Sequence, residues 1–155
     1  MRTLEGALCL AFAVAAGCSD TSGPPLTSID QLTGSWTLDT YVAIDTSDAS
    51  KTRDMFTVVG FNWDTLVISQ GGAAILTYGN AGLALADTAL LALSNGTLTW
   101  NTLHGGNPAP GTPQTFHFTG AGSHMAWLST YTLSVDVSGD GVADPVHVRM
   151  AWRRL

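Results

Sequence analysis

From Gly34 to the C-terminus the chain alternates apolar and polar positions in short runs, each closed by a turn signal. Trp36, Leu38, Thr40, Val42 and Ile44 share one parity while Thr37, Asp39, Tyr41 and Asp45 share the other, the period-two pattern of a half-buried strand. The same pattern predicts strands over 55–60, 64–69, 73–79, 83–93, 97–102, 114–119, 123–136 and 145–154. Their separators, including Gly71-Gly72, Gly79-Asn80, Asn95-Gly96 and the stretch HGGNPAPGTP, supply the positive-φ and proline positions that hairpins and loops require. No long amphipathic helix is written anywhere. Eight to ten short strands joined locally predict an all-β fold, either an up-and-down antiparallel β-barrel or a β-sandwich, both of which bury alternate residues. The inward positions on this reading are Trp36, Leu38, Phe56, Val58, Leu66, Ile68, Leu98, Trp100, Phe116, Phe118, Tyr131, Leu133, Val135, Val148 and Trp152.

Composition supports sheet over helix. Glutamate is absent after Glu5 and lysine occurs once, whereas threonine, glycine and β-branched or aromatic residues abound. With 155 residues, 45% hydrophobic and only 12% charged, the chain suffices for one domain around one core.

The N-terminus takes part of that length. Residues 1–20, MRTLEGALCLAFAVAAGCSD, hold an early arginine, an apolar run from Ala7 to Ala16 too short to span a bilayer, and small residues before Cys18. Ala15-Ala16-Gly17-Cys18 resembles the lipobox of bacterial lipoproteins, in which the cysteine becomes the lipidated first residue. That resemblance implies a signal peptide over 1–17, a lipidated Cys18 on a flexible tether over 18–25, and a folded domain over 26–155 held at the cell envelope through a membrane anchor. Ser19 after the cysteine points to the outer rather than the inner membrane. Cys9 leaves with the signal, so the domain contains no cysteine for disulfide, thiol catalysis or zinc ligation. Its ten aspartates face five scattered basic residues, which excludes a nucleic-acid partner.

At the start of the domain, "SIDQLTGSWTL" is a short turn leading into Gly34-Ser35-Trp36. It resembles the Gly-x-Trp opening strand of lipocalins and their bacterial relatives. Those families place a late arginine over that tryptophan, a role the resemblance gives to Arg154, with Arg153 as runner-up. The lipocalin-like, calycin-type reading implies an up-and-down barrel holding a small apolar ligand; a barrel filled by its own side chains, acting as a structural or protein-interaction module of the envelope, fits the same residues.

The stretch DVSGDGVAD, residues 136–144, carries the one cluster of hard oxygen ligands. Asp136, Ser138 and Asp140 alternate, Gly141 permits a sharp turn, the Val142 carbonyl follows, and Asp144 completes a set suited to a structural calcium ion. Serine at the third place and His147 at the twelfth exclude an EF-hand. Gly139-Asp140-Gly141 is equally a plain hairpin turn. Catalytic patterns are missing: His104, His117, His124 and His147 lack metal-type spacing, and no Gly-x-Ser-x-Gly elbow occurs. The sequence predicts a binding protein, not an enzyme.

Overall fold

A computed structural model describes residues 23–80, 83–105 and 110–155. The proposed signal, Cys18 and most of the tether lie outside the described residues. A 3-10 turn, Ile29–Leu32, precedes β1 (Gly34–Asp45), β2 (Thr52–Asp54), a one-turn helix α1 (Met55–Val59), β3 (Phe61–Ile68) and β4 (Ala73–Asn80). β5 (Leu83–Ser94), β6 (Thr97–His104), β7 (Gln114–Ala121), β8 (His124–Ser129), β9 (Leu133–Val135) and β10 (Asp144–Arg154) complete the chain. β1, β3, β4, β5, β6, β7, β8 and β10 pair in that order, all antiparallel, and β10 returns to β1. The result is a closed up-and-down barrel of eight strands, which leaves the eight wall strands no open edge over their paired lengths.

β2 and β9 are not staves. β1 and β10 outrun their neighbours, and β2 pairs with the overhang of β1 at Val42–Ile44 while β9 pairs with that of β10 at Asp144–Val146. Beneath this flap a small second core joins Ala43, Met55, Val146 and Val148. The main core fills the barrel, from Leu32 and Trp36 through Leu66, Ile68, Leu91 and Leu98 to Phe116, Met125, Trp127 and Trp152.

Three sequence expectations are corrected. The single parity expected along β1 is broken by an irregularity between Leu38 and Thr40, so Ala43 and Asp45 are buried where Val42 and Ile44 were expected inside. An extra residue in one strand reverses which face each later side chain takes. Residues 55–60, expected as a strand, form α1. Asp54 accepts from the Phe56 N–H at 2.9 Å as the N-cap, and Gly60 closes the turn at φ 72°, its N–H donating to the Phe56 carbonyl. One helical turn places Met55 and Val59 on one face against the second core, leaving Val58 exposed and Phe56 edge-on to Tyr41. The expected strand 123–136 is two strands. Ser129 ends β8 because its hydroxyl accepts from Val148 N–H and donates to the Tyr131 carbonyl, both at 2.9 Å, and Leu133 then lies exposed on β9.

Candidate functional site

The barrel's two ends differ. One is closed by the 3-10 turn, which is stapled locally: Gln31 Oε1 accepts from the backbone N–H groups of Thr27 at 2.7 Å and Ser28 at 3.0 Å. Leu32 drops into the barrel with no exposed surface, and its carbonyl accepts from Trp36 Nε1 at 2.8 Å. The guanidinium carbon of Arg154 lies 4.4 Å from the centroid of the Trp36 ring. Its Nη1 donates to the Thr33 carbonyl at 2.9 Å and its Nη2 to the Gln31 carbonyl at 2.7 Å, so one side chain ties the last strand to the turn. Gly34 makes room for it: at φ 136° a Cβ there would come within 3.3 Å of Nη1. The structure therefore brings Gly34, Trp36 and Arg154 together as one plug, while Arg153 points outward to Asp39 at 3.5 Å.

Toward the opposite end lies a cavity of about 200 Å³. Its apolar walls are Leu76, Trp100, Phe116, Trp127, Met150 and Trp152, and its polar rim is formed by Tyr41, Tyr78, Asp87, Gln114 and Tyr131. The indoles pack tilted against one another, with Trp127 and Trp152 centroids 5.2 Å apart at 42° and Trp100 and Trp127 6.2 Å apart at 52°. Gly105 packs its backbone against Asp87; a Cβ there would overlap the carboxylate. A wider hollow of about 530 Å³ lies elsewhere, lined by residues that include Pro25, Leu26, Asn95, Phe118 and Gly120.

The polar chemistry of the interior is unusual. Among the described residues four buried side-chain polar atoms lack a hydrogen-bond partner: Asp64 Oδ1, Asn101 Oδ1, Trp127 Nε1 and Trp152 Nε1. Three of them sit on the inward parity of β3, β8 and β10. Asp64 is 6% exposed and shares its parity with buried Leu66 and Ile68; burial pushes its carboxyl up to about 7. Asp87, 5% exposed, is hydrogen-bonded with Tyr78. Burial first, and then the Asp64 charge, raises Tyr41; burial, followed by Asp87, raises Tyr78; and burial lifts Tyr131 to about 12. Sequence reasoning missed Asp64 and Asp87. The available signal was an aspartate on the buried parity of an apolar strand, in DTLVIS and ALADTALLAL alike.

In the 136–144 loop each carboxylate caps backbone. Asp136 accepts from Gly139 N–H at 2.6 Å and Gly141 N–H at 3.1 Å, Asp140 from Val142 N–H at 2.8 Å, and Asp144 from Val137 and Ser138 N–H at 3.1 and 3.3 Å. Ser138 Oγ reaches Asp136 at 3.4 Å. The Gly139 bond leads in holding Asp136 below the usual carboxylate range, and Arg53 donates to the Asp136 carbonyl. Among the described residues no three His, Cys, Asp or Glu side chains converge as a metal site. His104 and His117 are exposed, His124 meets Ser123, and His147 Nδ1 donates to the Tyr131 carbonyl at 3.1 Å. Also among the described residues, no helix is long and apolar enough to cross a membrane.

Plug, wall and cavity together define a closed eight-stranded β-barrel with one sealed end and an aromatic chamber toward the other. No family model, curated protein or solved structure matches the chain.

Proposed function

We propose that this chain is an extracytoplasmic lipoprotein, anchored through Cys18 in the cell envelope at the outer membrane, whose lipocalin-like barrel carries a small, largely apolar ligand. The observation that carries the reading is the chamber of about 200 Å³ walled by three indoles, a phenyl ring, Leu76 and Met150. Small-molecule sites are concave and mostly apolar, with a few convergent polar groups that fix orientation. The Gly34–Trp36–Arg154 plug supports the lipocalin-like assignment because it joins the first and last strands over the base of the barrel. The lipobox-like Ala15-Ala16-Gly17-Cys18 supports the anchor. Two or three acyl chains, at about 0.8 kcal/mol per buried methylene, would hold the domain at a bilayer surface.

A structural calcium ion in the 136–144 loop belongs to the same proposal. Its support is the Asp136 carboxylate, which by holding Gly139 and Gly141 N–H keeps the chain sharply turned where the ligand pattern needs it. Binding would require Asp140 and Asp144 to exchange backbone N–H groups for the ion.

Native mass spectrometry of the purified protein, from calcium-containing buffer and after chelation, tests both. A retained organic mass supports the carrier and a chelator-sensitive calcium adduct supports the site. A bare polypeptide in both buffers overturns both and favours the interaction module.

A further inference from the structure

The residues that lead into the domain are fastened to one end of the barrel. Pro25 forms an antiparallel bridge with Ala121, the Leu26 N–H donates to the Gly120 carbonyl at 2.8 Å, and the Gly122 N–H donates to the Pro24 carbonyl at 3.2 Å. Gly23 lies so close to Gly122 that a Cβ would come within 2.7 Å of the Gly122 Cα. Residues 23–26 thus run alongside the end of β7, and that end is the sealed one: in the turn that follows, the Ser123 carbonyl accepts from the Arg154 N–H at 2.8 Å, beside the plug. Charge divides between the two ends as well. Among the described residues, the mouth and its flap carry Asp45, Asp48, Asp54, Asp136, Asp140 and Asp144 against Lys51 and Arg53, whereas the sealed end carries Asp30 against Arg154, and Arg153 pairs with Asp39.

Resting on the anchored-lipoprotein reading, we propose that the sealed end is the face that meets the lipid bilayer, with the mouth of the chamber turned away from it into the aqueous space. Lengths decide between the two orientations. Gly23 is five residues beyond Cys18, and five residues span at most about 18 Å even fully extended. β10 runs ten residue steps from Arg154, beside the clamp, to Asp144 at the mouth, which at a barrel tilt of about 40° covers about 25 Å along the axis. A mouth pressed to the lipid would hold Gly23 at that height, beyond the reach of its anchor; a sealed end pressed to the lipid leaves the tether slack. Electrostatics acts in the same direction, because an anionic lipid surface repels the aspartates of the mouth while the sealed end brings no such excess. Cargo in this arrangement enters and leaves through water or a partner protein, not straight from the bilayer.

The domain contains no cysteine and acylation blocks Cys18, so a single introduced thiol reports its own position. Gln70→Cys marks the sealed end, in the exposed turn where the Gly71 N–H donates to Asp30 at 3.2 Å, and Ala49→Cys marks the mouth, in the exposed loop after β1. The full chain, expressed with its own N-terminus in a bacterial host, is labelled with a thiol-reactive fluorophore and bound to phosphatidylethanolamine–phosphatidylglycerol vesicles that carry a nitroxide on the lipid headgroup. Quenching falls steeply over the distance between the two ends, so the label at position 70 should be quenched about threefold more than the label at position 49. A second pair, Ser123→Cys and Thr132→Cys, exposed at the same two ends, gives the comparison if either variant misfolds. Equal quenching at both ends of the vesicle-bound protein, or stronger quenching at the mouth, would overturn the orientation and leave the anchor standing. Protein that fails to float with the vesicles and takes up label at Cys18 would overturn the anchor and the orientation together.

Discussion

Replacing Arg154 by methionine removes the clasp over the sealed end while keeping an unbranched stem to cover Trp36. Three interactions go at once. The guanidinium 4.4 Å from the indole centroid is worth about 1 kcal/mol at a partly buried position. The bonds to Gln31 O and Thr33 O, at 2.7 and 2.9 Å, add about 1 kcal/mol each, the low end for a charged donor because water can replace it at this partly exposed site. A loss of about 2–3 kcal/mol follows, and for a domain of this size each kcal/mol lowers Tm by about 3–5 °C, so Arg154→Met should melt roughly 8–12 °C early. Arg154→Lys restores the charge but not the fork that reaches two carbonyls, and should recover about a third of the loss. In a double-mutant cycle with Trp36→Leu, the two positions should couple by about 1 kcal/mol, since removing either already destroys the stack. Circular dichroism melts of the four proteins read all of this. A drop under 2 °C for Arg154→Met, or additive losses in the cycle, would show that the plug is held by Leu32 and the barrel wall alone and would refute the reasoning.

Asp64 sets a pH dependence of stability. Its carboxyl, held at about 7 against an ordinary 3.8, binds more protons folded than unfolded between those values, so stability should fall as pH rises from about 4 to 7 and level off above. In a dry core the shift would cost about 4 kcal/mol, and solvent screening reduces this to about 2; Asp64→Asn should therefore be the more stable protein at pH 8 by that amount in urea titrations and lose the slope, and a flat profile for the unaltered protein would sink the argument. For α1, Asp54→Ala removes the N-cap and Gly60→Ala forces a side chain into the left-handed region; each should cost about 1 kcal/mol, measured by urea unfolding, and cost-free substitutions would mean that the helix adds nothing to the flap. At Gly72, φ 88°, a Cβ would collide with the Leu91 carbonyl, so Gly72→Ala should unfold the purified protein at 37 °C or lower Tm by more than 10 °C, and a near-normal melt would contradict the close approach of the β3–β4 turn to β5. Calcium should raise Tm and Asp140→Ala abolish the rise; an unchanged melt would make residues 136–144 a self-capped turn.

Strand number and barrel class were legible because period two is a local property, visible wherever one face of a strand meets a core and the other meets water. What the sequence hid was set by contacts between distant residues. The irregularity after Leu38 inserts no glycine or proline, so nothing in TLDTYVAID, residues 37–45, marks the point where inside and outside exchange; β10, pairing across the seam, fixes it. The helix at Met55 was obscured because five residues satisfy a strand parity nearly as well as a helical turn, and its caps, Asp54 and Gly60, read equally as the ends of a strand. The same limit explains the candidate site. Asp64 and Asp87 each occupy an inward position that the period-two pattern assigns to apolar residues, and in isolation each resembles an interruption of that pattern. Only closure of the sheet sets Asp87 among the Tyr41, Tyr78 and indole groups of one chamber, and buries Asp64 where its charge acts on the same two tyrosines. An aspartate on a buried parity is a local conflict with the period-two pattern, and such conflicts concentrate where a site or a strained contact, not packing alone, sets the residue.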